Sequence, residues 1–250
     1  MKLFLDRGNS SIKWGAHDGT RWVAGGRLVL GVDDNADFSA LPTPDAVFYA
    51  SVASAARDVA MLDRLSHAWQ CPVKLIETSS EAAGVRCAYA DPSRLGVDRW
   101  LAVLAAFQPG ATSIAVDAGT AITIDAVGPD GMHLGGLIAP GISLMQRALY
   151  SNTDRIPDEG NAVIDVPFLG RDTREAVVGG SVQAAAGFID QVVSKLRETH
   201  GEATRCLLTG GDGERLRGEL RNEFEWHPRL VLDGMLRIAD ESAVAAQEDT

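Results

Sequence analysis

Residues Phe4–Lys13, FLDRGNSSIK, set a carboxylate, Asp6, at the end of an apolar run, followed by Arg7, a glycine, three small polar residues and, after Ile12, a lysine. Gly8 permits a tight turn, Asn9 and Ser10 carry hydrogen-bond donors, and Lys13 returns a positive charge once the next strand has begun. A hairpin tip of this composition can wrap anionic oxygens, with Asp6 holding a divalent cation directly or through water. The same residues also suit an ordinary hairpin in which Asp6 caps the turn. Arg7 stands where a strand would bury another side chain. Alternation sends it to the face opposite Asp6, where it would snorkel or pair with a carboxylate.

The pattern occurs twice. Residues 114–136, IAVDAGTAITIDAVGPDGMHLGG, repeat residues 3–26 at an offset of 111, matching Asp6 to Asp117, Gly8 to Gly119 and Asn9 to Thr120. At that offset Ile124 stands where Lys13 does, so only the first tip carries a phosphate-binding charge. Two copies facing one cleft favour a binding role over two ordinary turns. Asp125 reads either as a metal-side residue or as the cap of a strand end. Elsewhere, Asp98 beside Gly96 at a helix start serves as an N-cap or as a base for an alcohol, and Arg99 can pair with a carboxylate or phosphate. Thr173 reads as a helix N-cap near Asp172 and Glu175, or as a hydroxyl contact. LLTGGD, residues 207–212, offers a glycine pair where a ligand could approach backbone.

The elements that must position these residues follow from turn chemistry and periodicity. Each copy gives an apolar strand, an Asp-x-Gly-Asn/Thr tip, a second strand, an HDG or PDG turn and a third strand: a three-stranded antiparallel meander. Between the copies lie a strand at 45–51, an amphipathic helix at 53–69, a strand at 73–77 and a helix at 98–107. After the second copy come a polar stretch at 151–168, a small-residue helix from 173 to about 196, a strand at 205–209 and a helix at 214–222. LVLDGMLRIADESAVAAQEDT then reads as a short strand and a helix. Gln108-Pro109-Gly110 marks a junction, dividing the chain into domains 1–109 and 110–250.

Composition narrows the function further. An apolar fraction of 46% supports packed cores, and 34 acidic against 23 basic residues, a formal charge of −11, argue against a nucleic-acid groove. Three cysteines without metal spacing and five scattered histidines argue against a transition-metal enzyme. No leader or membrane-spanning stretch is read, which points to the cytoplasm.

Together, DRGNSSIK, YADPSRLGVDRWLA (89–102), VDAGTAITID (116–125) and GRDTREAV (170–177) resemble the type III pantothenate kinase family. That family is related to the Bvg accessory factor proteins and lies within the actin, heat-shock chaperone and sugar kinase superfamily. The resemblance implies an α/β fold of two ribonuclease-H-like (actin-like ATPase) domains, each with a mixed sheet led by the meander and flanked by helices. It implies ATP-dependent phosphorylation of pantothenate to 4'-phosphopantothenate, the first step of coenzyme A biosynthesis.

The family motif implies ATP contacts at Asp6, Gly8, Asn9, Ser10, Lys13 and Thr120, with Mg2+ at Asp6 directly or through water. It implies a monovalent cation, K+ or NH4+, at Asp117. Pantothenate contacts fall at Tyr89, Gly96, Val97, Asp98, Arg99 and Thr173, with Asp98 the proton acceptor, and a homodimer is implied. Arg7 departs from the family, which usually has an apolar residue there. Two other readings are another small-molecule kinase or phosphatase of the superfamily, and a regulatory protein that keeps the fold and acts through partners.

Overall fold

The computed structural model describes residues 1–8, 11–31, 37–152, 166–201 and 203–248. Asn9, Ser10 and most of the polar stretch at 151–168 lie outside the described residues. The chain forms two units, Met1–Ala105 with Arg229–Thr250, and Ala106–Pro228.

In the first unit, β1 (Lys2–Arg7), β2 (Ser11–His17) and β3 (Trp22–Val29) form the antiparallel meander. β4 (Ala46–Ser51) and β5 (Val73–Leu75) extend it in parallel, giving the order β3-β2-β1-β4-β5. α1 (Ala55–Trp69) makes the crossover between β4 and β5, and ends where Gln70 turns left-handed and its N–H bonds the Ser66 carbonyl. Leu3, Leu5, Ile12, Val47 and Tyr49 pack with Met61 and Leu65 of α1 into one core. On the other face Phe4 stacks on Phe48 at 5.1 Å and meets the edge of Trp22 at 5.3 Å. A small hairpin, β6 (Glu81–Ala82) and β7 (Val85–Arg86), precedes α2 (Val97–Ala106).

The second unit repeats the plan. β8 (Ser113–Ala118), β9 (Ala121–Val127) and β10 (His133–Pro140) form its meander, and β11 (Arg205–Thr209) and β12 (Glu225–Trp226) complete the order β10-β9-β8-β11-β12. α3 (Ile142–Asn152), α4 (Thr173–His200) and the short α5 (Gly213–Leu216) accompany the sheet. Ile114, Val116, Ile122 and Ile124 pack with Val182, Ala185, Ile189 and Val193 of α4. Both sheets are thus mixed and led by a three-stranded meander, as expected.

Several expectations need correction. The segment beginning LVLDG is no strand: Leu230–Glu248 is one helix, α6, with Leu230, Val231, Leu232, Met235 and Ala239 buried at helical spacing. α6 packs on β1 and β4, so it belongs to the first unit and the second ends at Pro228, short of the expected 250. α5 stops at Leu216 because Gly218 follows, a poor residue for continuing a helix. α3 had no counterpart among the expected elements. α4 has the length and apolar composition of a membrane span, but its apolar residues Val182, Ala185, Ile189 and Val193 are buried in the core of the second unit.

The two hairpin tips also differ by one residue. Asp6 pairs with Lys13 across the first ladder, whereas Asp117 pairs with Thr123 across the second. The structural counterpart of Lys13 is therefore Thr123. Ile124, which the constant offset selects, pairs with Val116 and faces the core.

Candidate active site

In the first unit, β1 delivers Asp6 to the strand end with only 8% of its surface exposed, opposite Lys13 on β2. The Gly8 N–H donates to the Ser11 carbonyl at 2.9 Å and closes the tip. Arg7 turns to the face covered by α1 and is 1% exposed, so it pairs rather than snorkels. Its Nη1 donates to the Arg57 carbonyl at 3.2 Å and to the Tyr49 hydroxyl at 3.5 Å, and lies 4.0 Å from Asp58 Oδ1. Tyr49 in turn donates to Asp58 at 2.8 Å. Burial pushes the Tyr49 pKa up to about 12, so the phenol keeps the proton it donates. A buried guanidinium requires such an anion, and α1 supplies it.

The expected substrate residues gather at the start of α2. The Trp100 N–H bonds the Gly96 carbonyl at 3.0 Å, making Gly96 the cap residue and Asp98 a first-turn residue, not the N-cap the sequence suggested. Asp98 Oδ1 accepts from the Arg99 N–H at 2.8 Å. A Cβ on Gly96 would lie 2.8 Å from that same oxygen. Glycine at 96 thus leaves the space into which the Asp98 carboxylate folds. Val97 and Arg99 are buried, and Arg99 Nη1 donates to the Tyr89 hydroxyl at 3.1 Å with its guanidinium 6.0 Å from the ring centre. Tyr89, Gly96, Asp98 and Arg99 form one cluster. Thr78 Oγ1 braces it by donating to the Leu95 carbonyl at 2.8 Å.

In the second unit, Asp117 is the last residue but one of β8 and Thr120 is exposed at the tip. The turn after β11 is built around Asp117. Gly210 has φ +100°, and a Cβ there would lie 2.5 Å from Asp117 Oδ1, so the turn admits only glycine. The Asp212 N–H then bonds the Ala118 carbonyl at 2.9 Å. Asp212 joins this group although sequence reading did not single it out; its signal was only its place after the glycine pair. Burial pushes its carboxyl above the usual value, and Arg215 opposes the shift. Asp125 is buried against His133, its Oδ1 3.1 Å from Nε2, which makes it a structural partner rather than a strand-end cap.

Thr173 opens α4 as its first helical residue. The N-cap is Asp172, which accepts from the Glu175 N–H at 2.8 Å while Glu175 accepts from the Arg171 N–H at 2.7 Å. The Thr173 hydroxyl is thus released from the capping role expected of it. Thr173 sits on an apolar groove of about 610 Å³ between α3 and α4, lined also by Leu144, Met145, Leu149 and Val177. Among the described residues no group of three or more His, Cys, Asp or Glu side chains forms a metal site.

The family model for type III pantothenate kinase matches residues 2–195. A curated type III pantothenate kinase from Nitrosospira multiformis is 35% identical over 251 residues, covering 98% of this chain and 94% of its own. One from Alkalilimnicola ehrlichii is 37% identical over 246 residues, covering 96% and 98%. Among solved structures, a Baf family protein from Campylobacter jejuni aligns with a TM-score of 0.58 at 22% identity, covering 96% of this chain and 98% of its own. The activator of the 2-hydroxyisocaproyl-CoA dehydratase from Clostridium difficile, solved with ADPNP, aligns with a TM-score of 0.51 at 13% identity, covering 100% and 97%. At these identities the two structures speak to the fold alone, which is of the actin-like ATPase kind.

Proposed function

The chain belongs to the type III pantothenate kinase family, and we propose that Asp98 is the base with which it phosphorylates pantothenate for coenzyme A biosynthesis. ATP is the co-substrate. The observation that carries the assignment is the Asp98 carboxylate folded over Gly96 beside the Arg99–Tyr89 pair. Asp98 takes the proton of the primary hydroxyl as that oxygen bonds the γ-phosphorus and the bond to ADP breaks. Arg99 supplies the charge that pairs with the pantothenate carboxylate and, by donating to Tyr89, fixes the phenol beside it. Val97 and the Thr173 hydroxyl complete the proposed substrate contacts.

Asp6, Gly8, Lys13 and Thr120 are the proposed ATP contacts, with Asn9 and Ser10 outside the described residues. Lys13, directly across the ladder from Asp6, supplies the cation for the phosphates. The donor set fits Mg2+, which is commonly held by one or two carboxylates with substrate phosphates and water, and Asp6 would hold it. It would neutralise phosphate charge. Asp117 would hold the monovalent cation, in the space that Gly210 leaves beside its carboxylate.

Asp98→Asn is expected to lower kcat by about 100-fold or more with both KM values within about threefold. The assay follows ADP release with ATP, Mg2+ and pantothenate, in K+ and then in Na+. Near-normal turnover discards the role of Asp98, and equal rates in the two salts discard the cation at Asp117.

A homodimer is proposed as well. The apolar groove between α3 and α4, with Leu144 and Leu149 partly exposed, is a surface that a second copy would bury. Light scattering should give twice the 26.5 kDa chain mass, and a monomer would refute this.

A further inference from the structure

Within the first unit, two neighbouring residues of α6 touch α2, which carries Asp98, and Trp22 of β3, which packs on the strand that carries Asp6. A Cβ on Gly234 would lie 2.6 Å from the carbonyl carbon of Leu101 and 2.9 Å from its Cα. Those are backbone atoms of α2, one turn beyond Asp98, and cannot swing aside as a side chain can. α6 and α2 therefore meet backbone to backbone at this point. The preceding residue, Asp233, accepts from Trp22 Nε1 at 2.9 Å. Trp22 lies against Phe4, two residues before Asp6, and fills the space above Gly15, where a Cβ would lie 2.7 Å from the indole and 3.2 Å from Leu232. Arg229 stands 6.0 Å from the indole centre.

Other links from α6 reach solvent: Lys2 to Asp240 at 3.1 Å and the Ala83 N–H to Glu241 at 3.0 Å. Exposed links of this kind fix little. The contacts at 233 and 234 differ, being a part-buried indole hydrogen bond and a backbone crossing.

We propose that Asp233–Gly234 is the positioning joint of the first unit, setting the substrate end of α2 relative to the strand that carries Asp6. The proposal rests on the assignment of Asp98 and its neighbours above. A methyl group at 234 must part α6 from α2 by on the order of 1 Å to reach ordinary contact, and a displacement of that size can cost about 100-fold in rate when it reaches reacting groups. Trp22 and the tip beyond it stay where they are, so nucleotide binding is spared.

The test uses the full chain with Gly234→Ala, at a temperature where circular dichroism shows it folded. The expected result is a fall in kcat/KM for pantothenate of at least tenfold, with nucleotide affinity by calorimetry within about threefold. A contact that served only stability would lower Tm and leave both constants alone. Asp233→Leu, which removes the indole acceptor, should also lower kcat/KM for pantothenate, and Asp233→Asn, which keeps an acceptor oxygen, should restore the wild-type constants. Unchanged kinetics in a folded Gly234→Ala overturns the proposal. If that variant does not fold, unchanged kinetics in Asp233→Leu does so, and failure of both to fold marks the joint as structural only and overturns it too. Asp98→Asn is measured in the same series: an active Asp98→Asn defeats the assignment of the base, whereas an inactive one beside an unaffected Gly234→Ala defeats the joint alone.

Discussion

Asp212 shows how a single carboxyl carries a cost that the fold alone does not require. Its pKa is raised by burial, so the folded state holds the proton more tightly than the unfolded chain, whose value is near 3.8. Above the raised value the folded carboxylate is ionised against that penalty; as pH falls through it, the penalty disappears. Asp212→Asn removes the charge and should raise Tm at pH 7, with the gain shrinking as pH falls toward 3.8. A wild-type Tm equal to or above the variant's at pH 7, by calorimetry, contradicts this. Arg7 shows what one residue cannot reveal about itself. Alternation settles its face, but its anion, Asp58, is supplied by α1, far along the chain, and nothing local names it.

At the scale of elements, the meanders were legible because turn residues and strand alternation are local physics, written twice in the same chain. The first-turn cluster of α2 was legible through Gly96, Asp98 and Arg99. Sequence reading places the cap one or two residues late at both helix starts, since Asp and Thr side chains can accept from the same exposed N–H groups, Gly is tolerated at the same position, and only the backbone path decides among them. The counterpart of Lys13 was misread for a related reason. A tip shortened by one residue leaves the apolar pattern intact while moving the partner of Asp117 from Ile124 to Thr123. The start of α6 reads as a strand because LVL suits either structure, and only the sheet beneath it selects a helix.

At the scale of the whole molecule, chain order and unit membership diverge. Residues 106–228 are contiguous and enclose their own core, whereas the first unit needs residues 229–250 to cover β1 and β4. The fragment 106–228 should therefore unfold cooperatively on its own in circular dichroism. The fragment 1–105 should not, and should gain a cooperative transition when the peptide 229–250 is added. Cooperative folding of 1–105 alone would refute this.

The return of α6 also fixes an order in time. A ribosome adding about 5–20 residues per second needs roughly 7–30 s to travel from residue 105 to the end of the chain. Throughout that interval the first unit exists without its last helix, and the aromatic face of Phe4, Trp22 and Phe48 awaits its cover. The half made second is the first able to finish folding, and the nascent half made first is the one that stays open longest.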